Sequence, residues 1–572
     1  MPSAKLPSLR GEFAQALRPC SLSVPRYHGI VKTSKATQGM ELVFALSAAL
    51  ALAGCGGADD AAGGGGASAG GGTGGAGATG GSGASGAAAT GGYTGTNPNL
   101  DCPNKLTPRD PKGDVVTVGD GTSASCNEKA LHDAVDSINA KSAAGTLLFD
   151  CGGAHTITLS KSVFVKASAL IDGGGVITLS GGSAVRVIEL DHHIDFVLQR
   201  VTIRDGFVAA GSENESGAGL LHPWFGTLEV IDVTFENNHS ASKDHDVGGG
   251  AIYAGGLTKA VLSGCTFSNN SGSTGGAVLS RSTNLSVANS VFHENSATTY
   301  AESGQYGNGG GLYIDRMWLD APEDFVICGS VFEKNHAKVH GSAFFSYNLE
   351  GNGATFDRCT FKDNDMAGSP GGGTGSVYHQ GVKLRLTNST FAGNATGAHA
   401  GGLFLGGGTD ASIENCTFDR NKTPGNAGAL WAGNGKVDVA NCTFAGNDAD
   451  YGPVIFKGQS GAVQLTNTVF FNNTTANAFS AVACHETFGD GGGNLQWPAT
   501  KNNGKADMPC AAGITFADPD LGALADNGGP THTMALSAGS PAIDVAQTCS
   551  EFDQRGMKRV GLCDSGAYEY QP

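Results

Sequence analysis

Asp315 with Arg316, and His379 with Gln380, fall at the ends of Gly-rich segments in neighbouring stretches of the chain. A carboxylate, an imidazole and a guanidinium in that setting could serve as acid, base and charge stabiliser. Two further clusters, Asp191, His192, His193 and Asp195, and Asp244, His245 and Asp246, combine oxygen and imidazole groups that suit a divalent cation. Adjacent residues on an extended chain point to opposite sides, which works against either cluster closing on one ion. The expectation is a chain with no assigned catalytic set, no metal site and no cofactor, with a structural calcium ion left open.

A third set of residues is apolar. Tyr253, Leu279, Tyr313, Phe345, Tyr378, Phe404, Trp431 and Ile455 each follow a residue of a nearly uniform aliphatic row: Ile252, Val278, Leu312, Phe344, Val377, Leu403, Leu430 and Val454. The aliphatic row suits an interior, and strand parity would then turn the aromatic row outward. Eight such positions at about 4.8 Å make a ladder of about 34 Å. Tyr253, Tyr313, Phe345, Tyr378, Phe404 and Trp431 would offer flat ring faces to the axial faces of a sugar chain. With the opposite parity the same rings fill the core.

These residues recur because the chain repeats. Nine copies of Phe-x-x-Asn start at Phe235, Phe267, Phe292, Phe332, Phe361, Phe391, Phe418, Phe444 and Phe470, at intervals of 25 to 40 residues. Between them lies a Gly-rich mark, as in "GGAIY" at Gly249, "GGGLY" at Gly309 and "AGALW" at Ala427. Before many Phe positions, apolar and polar residues alternate, as in "KLRLTNSTF" and "KVDVANCTF", which is strand periodicity. Parity breaks between Val439 and Cys442, so the chain must bend there. Three residues before Phe, eight of nine copies carry Asn, Asp or Gly, which tolerate a left-handed bend; the exception is Arg358. Small residues two before Phe, among them Cys265, Cys359, Cys416 and Cys442, suit an interior row of buried thiols and hydroxyls. The predicted unit is a coil of about three strands, stacked into an all-β parallel β-helix that winds right-handed, the expected sense of parallel crossovers.

The paired Gly-Gly-Ala-Ile and Phe-x-x-Asn marks resemble the repeats of polymorphic outer-membrane proteins, within the right-handed β-helix, pectate-lyase-like superfamily. That resemblance implies surface display, adhesion in some members, and an acid and base on one coil face in the enzymes. "LADNGGPTHTMALSAGSPAID" and "DQRG…CDSGAYE" resemble the choice-of-anchor Q domain that ends bacterial surface β-helices. "LVFALSAALALAGC", residues 42–55, is too short to span a bilayer as a helix, and its ending resembles the lipobox of bacterial lipoproteins, which implies cleavage before Cys55 and lipid on it. The expected order is a leader and signal peptide over 1–54, a disordered Gly/Ala/Ser tether over 55–99, an N-terminal cap over 100–144 that includes a helix at 127–140, the β-helix over 145–515, and a C-terminal cap over 516–572.

Composition limits the partners. Lys and Arg number 35 against 52 Asp and Glu, a net charge of −17, which repels phosphate backbones, so nucleic acid is not expected. The even cysteine count left after Cys20 and Cys55 suits an exported chain, with Cys484–Cys510 and Cys549–Cys563 the expected local pairs. The resulting expectation is a monomeric, lipid-anchored protein at the outer membrane surface that binds polysaccharide or another surface protein. A polysaccharide lyase or glycosidase on the same scaffold is the first alternative, and a structural spacer the second.

Overall fold

The computed structural model describes residues 96–571, apart from 142–143, 245, 298–306, 317–323, 349–352, 367–371 and 547. The rung that starts at Asn415 shows how sequence becomes coil. Asn415 (φ 52°) bends the chain into strand Thr417–Asp419, Arg420 (φ 50°) bends it again into Lys422–Thr423, and Ala427 (φ 67°) turns it towards Leu430–Trp431. Strand Lys436–Ala440 then closes the rung at Asn441. A left-handed residue changes the chain's direction in one step, so short strands can keep their apolar sides inward at every corner.

The bend predicted three residues before Phe occurs in all nine copies, Arg358 included at φ 53°. Left-handed geometry costs an L-residue with a Cβ about 1–2 kcal/mol. At Arg358 the guanidinium offsets this by bonding the Asp357 carboxylate at 2.7 Å and the Asp101 carbonyl at 2.9 Å. Two further left-handed corners per rung, one carried by Asn237, Asn269 and Asp363 as well as by Glu294, Lys334 and Arg420, the other by Gly249, Gly275 and Ala427, were not predicted from the sequence, because the break in strand parity marks only the corner before Phe.

All rung-to-rung pairing is parallel, and equivalent residues meet in register: Phe391 on Phe418, Phe418 on Phe444, Leu403 on Leu430. The alternating and Phe-bearing strands merge into one 26-stranded sheet through the long strands Ala169–Ser180 and Ile194–Arg204. The Gly-motif strands form an 11-stranded sheet, and two-residue strands after each Asn make a short further column. The coil is therefore three main strands and a short fourth, and it starts at Asp114–Val118 rather than at 145, since that strand pairs with Gly145–Phe149.

Inside, the nine Phe rings form one face-to-face column with centroids 4.5–5.4 Å apart. Burial contributes roughly 1.5–3 kcal/mol per ring. The Asn of the same motif forms a second buried column. Asn421 Nδ2 donates to Asn447 Oδ1 at 2.9 Å and to the Phe391 carbonyl at 2.9 Å, while its Oδ1 accepts from Asn394 Nδ2 at 2.8 Å. The amide column satisfies corner groups that would otherwise be buried without partners. Cys265, Cys359, Cys416 and Cys442 remain free and buried in the interior row, where burial pushes the Cys265 and Cys359 thiols up to about 12.

Helix Glu128–Asn139, capped by the Asn127 side chain, buries Leu131, Ala134, Val135 and Ile138 in the same core as the first rungs. The stretch before it is a strap along the outside of the coil. Asn289, Gln199 and Thr146 each exchange a pair of hydrogen bonds with the strap backbone, at Leu100, Arg109 and Lys112 in turn. Cys102–Cys328 fastens it across 226 residues, and Cys126–Cys151 ties the helix region to the coil.

The cap expected over 516–572 is instead a flank cover. It follows the same corner column over later rungs: Thr390 Oγ1 donates to the His532 carbonyl, Asn415 Nδ2 to that of Phe552 and Asn467 Nδ2 to that of Thr548, at 2.7–3.0 Å. The charged residues of "DQRG…CDSGAYE" are structural, since Asp553–Arg555 (2.7 Å) and Arg559–Glu569 (3.0 Å) are buried pairs. The expected pairs Cys484–Cys510 and Cys549–Cys563 are both formed.

Candidate functional site

With the corner column covered by the chain's own ends, the Gly-motif sheet remains the face that carries aromatic residues outward. Its aliphatic row, Ile252, Val278, Leu312, Phe344, Val377, Leu403, Leu430 and Ile455, is fully buried. Pleating therefore turns Tyr253, Leu279, Tyr313, Phe345, Tyr378, Phe404 and Trp431 to the outside, most of them half-buried. At the last position the register is one residue later than the sequence suggested: Leu430 pairs with Ile455 and Trp431 with Phe456. His485 continues the row, its ring 4.4 Å from that of Phe456. Phe456 was missed because "PVIF" lacks the Gly-Gly mark that sets the alignment elsewhere.

The orientation of the rings changes what they offer. From Tyr313 to His485 neighbouring centroids lie 4.4–5.5 Å apart with planes within 29° of parallel. The faces are occupied by the rings above and below, so edges point outward. A ring edge is the positive end of the quadrupole and suits an oxygen rather than the C–H face of a sugar.

Polar side chains flank the column on both sides. Arg281, Asp315, Tyr347 and Gln380 occupy one outward row in register, and the Arg281 Nε lies 3.9 Å from Asp315. Tyr378 donates to Gln380 Oε1 at 3.1 Å. On the other side, His340 Nδ1 accepts from Thr374 Oγ1 or donates to it at 2.8 Å and its ring lies 5.0 Å from Tyr378, while His399 lies 5.2 Å from Trp431. Burial holds His340 down at about 4 and lowers His399 and His485, so all three are neutral at neutral pH.

A family model described as a right handed beta helix region matches residues 196–391 and 349–489, together just over half of the chain. The chain belongs to the right-handed β-helix family. None of the curated proteins matches it.

The four residues that could have made an acid–base set on this right-handed β-helix do not come together. Asp315 and Gln380 face out, whereas Arg316 and His379 are fully buried. His379 Nδ1 shares a 2.7 Å hydrogen bond with Ser346 Oγ, and burial lowers the imidazole to about 4. Parity separates it from Gln380, its chain neighbour. The Asp191–Asp195 cluster also disperses: Asp195 accepts from Thr227 Oγ1 at 2.8 Å, and His193 stacks on Phe225. Among the described residues no three His, Cys, Asp or Glu side chains converge as a metal site would require. Cys55 and His245 lie outside the described residues.

One end of the face is built differently. Tyr253 has Leu221 and Leu279 as register neighbours, so no ring covers it within its row. It lies across Gly255, where an added Cβ would come within 2.7 Å of the ring, and Trp224 lies across Gly256, where the distance would be 2.0 Å. Both rings therefore rest on backbone, and Trp224 is 44% exposed. Sequence reading passed over Trp224 because it sits outside the repeat.

Proposed function

We propose that this right-handed β-helix is an exported binding protein that takes an extended carbohydrate along its Gly-motif sheet. The observation that carries the reading is the outward ring column flanked on both sides by hydrogen-bonding rows, in register for the length of the sheet. A polymer of pyranose units presents hydroxyls at regular intervals, and a ladder of ring edges and polar side chains at the rung spacing meets it with repeated weak contacts. Four disulfides suit an oxidising compartment. The lipobox-like residues 52–55 and the Gly-rich tether after them would hold the coil at a bacterial surface through lipid on Cys55. The polymorphic-outer-membrane-type repeats and the choice-of-anchor Q-like segment fit that placement.

The test has two arms. Purified protein is screened by calorimetry against a panel of soluble polysaccharides, with reducing or unsaturated ends assayed in the same samples; binding without release of ends is expected, and absence of binding overturns the proposal. Cells are labelled with a radioactive fatty acid, which is expected on the native protein and lost in Cys55→Ala. Label retained by that variant rejects the anchor.

A further inference from the structure

We propose that the cavity beside Tyr253 and Trp224 is a subsite for one uncharged pyranose residue of the chain that lies along the ring column. The inference rests on the carbohydrate reading above and assigns to this end the contact that the stacked rings cannot make. A sugar stacks through its axial C–H groups on an open aromatic face. From Tyr313 onward the faces are closed by neighbouring rings, but Trp224 and Tyr253 pack against Gly256 and Gly255, which leave room for them, and line a cavity of about 360 Å³. That volume holds one or two pyranose rings.

The walls select among sugars. Arg281 lines the cavity, and its guanidinium bonds the Asp246 carbonyl at 3.2 Å and lies 3.3 Å from the Asp246 carboxylate. Glu213, Glu215 and Asp244 add further carboxylates to the lining, so negative charge outnumbers the single guanidinium. Carboxylates accept hydrogen bonds from sugar hydroxyls in bidentate fashion, as Arg281 donates them. The same charge repels a uronate, whose carboxylate would enter a region of like sign. The site therefore discriminates by charge at the point where it grips by stacking.

The experiment uses the full-length protein and three probes: cellohexaose, hexagalacturonate and hexalysine. Calorimetry is expected to show cellohexaose binding at least about tenfold tighter than hexagalacturonate, with the gap narrowing in 0.5 M salt as exposed charges are screened. Trp224→Ala is expected to weaken cellohexaose about tenfold or more while lowering the unfolding midpoint no further than Phe404→Ala does, since the indole is 44% exposed and stands outside the stacked column. Gly255→Ala, which displaces the Tyr253 ring and its contact with Arg281, is expected to weaken it too. The Glu213→Gln, Glu215→Gln double variant is expected to raise hexagalacturonate affinity about tenfold. Sugar binding that Trp224→Ala and Gly255→Ala leave unchanged overturns the subsite while the binding face stands. No binding of any sugar overturns both, and so does hexalysine binding in place of sugar.

Discussion

The inner column, Phe235 to Phe470, and the outer column, Tyr313 to His485, share a rung spacing and face-to-face contact but not a composition. Every inner ring is Phe, whereas the outer rings are Tyr, Phe, Trp and His. Inside the coil a phenol or indole polar atom would need a partner that a column of Phe does not supply, and its burial without one costs about 1–3 kcal/mol. Outside, Tyr378 reaches Gln380 and the polar atoms lie at the edge facing water. Stacking distance alone thus does not tell wall from core; what differs is that the outer column admits rings with polar atoms, Tyr, Trp and His among Phe, and the inner one does not. The outer column also shows that an apolar face can serve the coil as rung-to-rung contact and leave little ring surface for a ligand.

The largest expected difference between the columns is in stability. Phe418→Ala leaves a cavity among fully buried rings and should cost about 3–5 kcal/mol, whereas Phe404→Ala removes a half-buried ring from a stack and should cost about 1–2 kcal/mol. Urea midpoints of the two variants measure this, and equal losses would abolish the distinction between wall and core.

The two sides of one strand differ next in their response to acid. Tyr378 faces out, and its neighbour His379 faces in with its imidazole held at about 4 against an ordinary 6.5. Between those values the unfolded chain binds a proton that the folded chain does not, so stability is full above about 6.5 and falls as pH drops towards 4. The loss from this group amounts to about 3 kcal/mol. His379→Leu should flatten that part of the profile, and parallel profiles for the variant and the native protein would show that His379 does not stay neutral in a dry interior.

Corners ahead of the two columns should respond in opposite directions. Asn441 leads into an inner-column strand at φ 50°, and a β-branched Val there should cost about 1–3 kcal/mol while Gly is nearly neutral. Ala427 leads into an outer-column strand at φ 67° with a Cβ already in place, so Ala427→Gly should gain up to about 1 kcal/mol. Thermal midpoints of the three variants decide it. The smallest effect expected is that of Tyr378→Phe, which removes one half-exposed hydrogen bond and should lower stability by about 0.5–1 kcal/mol, read from a denaturation midpoint.

Much of the coil is legible because its rules are local. Asn415, Asn441 and Asn467 adopt the predicted bend since left-handed geometry is settled within one residue, and the aliphatic row lies inside since strand parity has period two. The outer ring face is less legible. Parity alone allowed Tyr313 and Trp431 on either side, and whether a ring shows its face or its edge depends on what sits one rung away, 25 to 33 residues distant along the outer column. Trp224 gave no signal, because its seat is made by Gly256 on the next rung.

The sequence by itself determined the repeating unit: the left-handed corner before Phe, alternating strands, the Phe column and two local disulfides. Each follows from sterics or parity over a few residues, or from cysteines 14 and 26 residues apart. Only the tertiary structure decided where the ends go. The strap fastened by Cys102–Cys328 and the flank cover held by Asn415 and Asn467 depend on hydrogen bonds to rungs far along the chain. Their partners become neighbours only after the coil has wound, and no spacing in the sequence records which rung an end will reach.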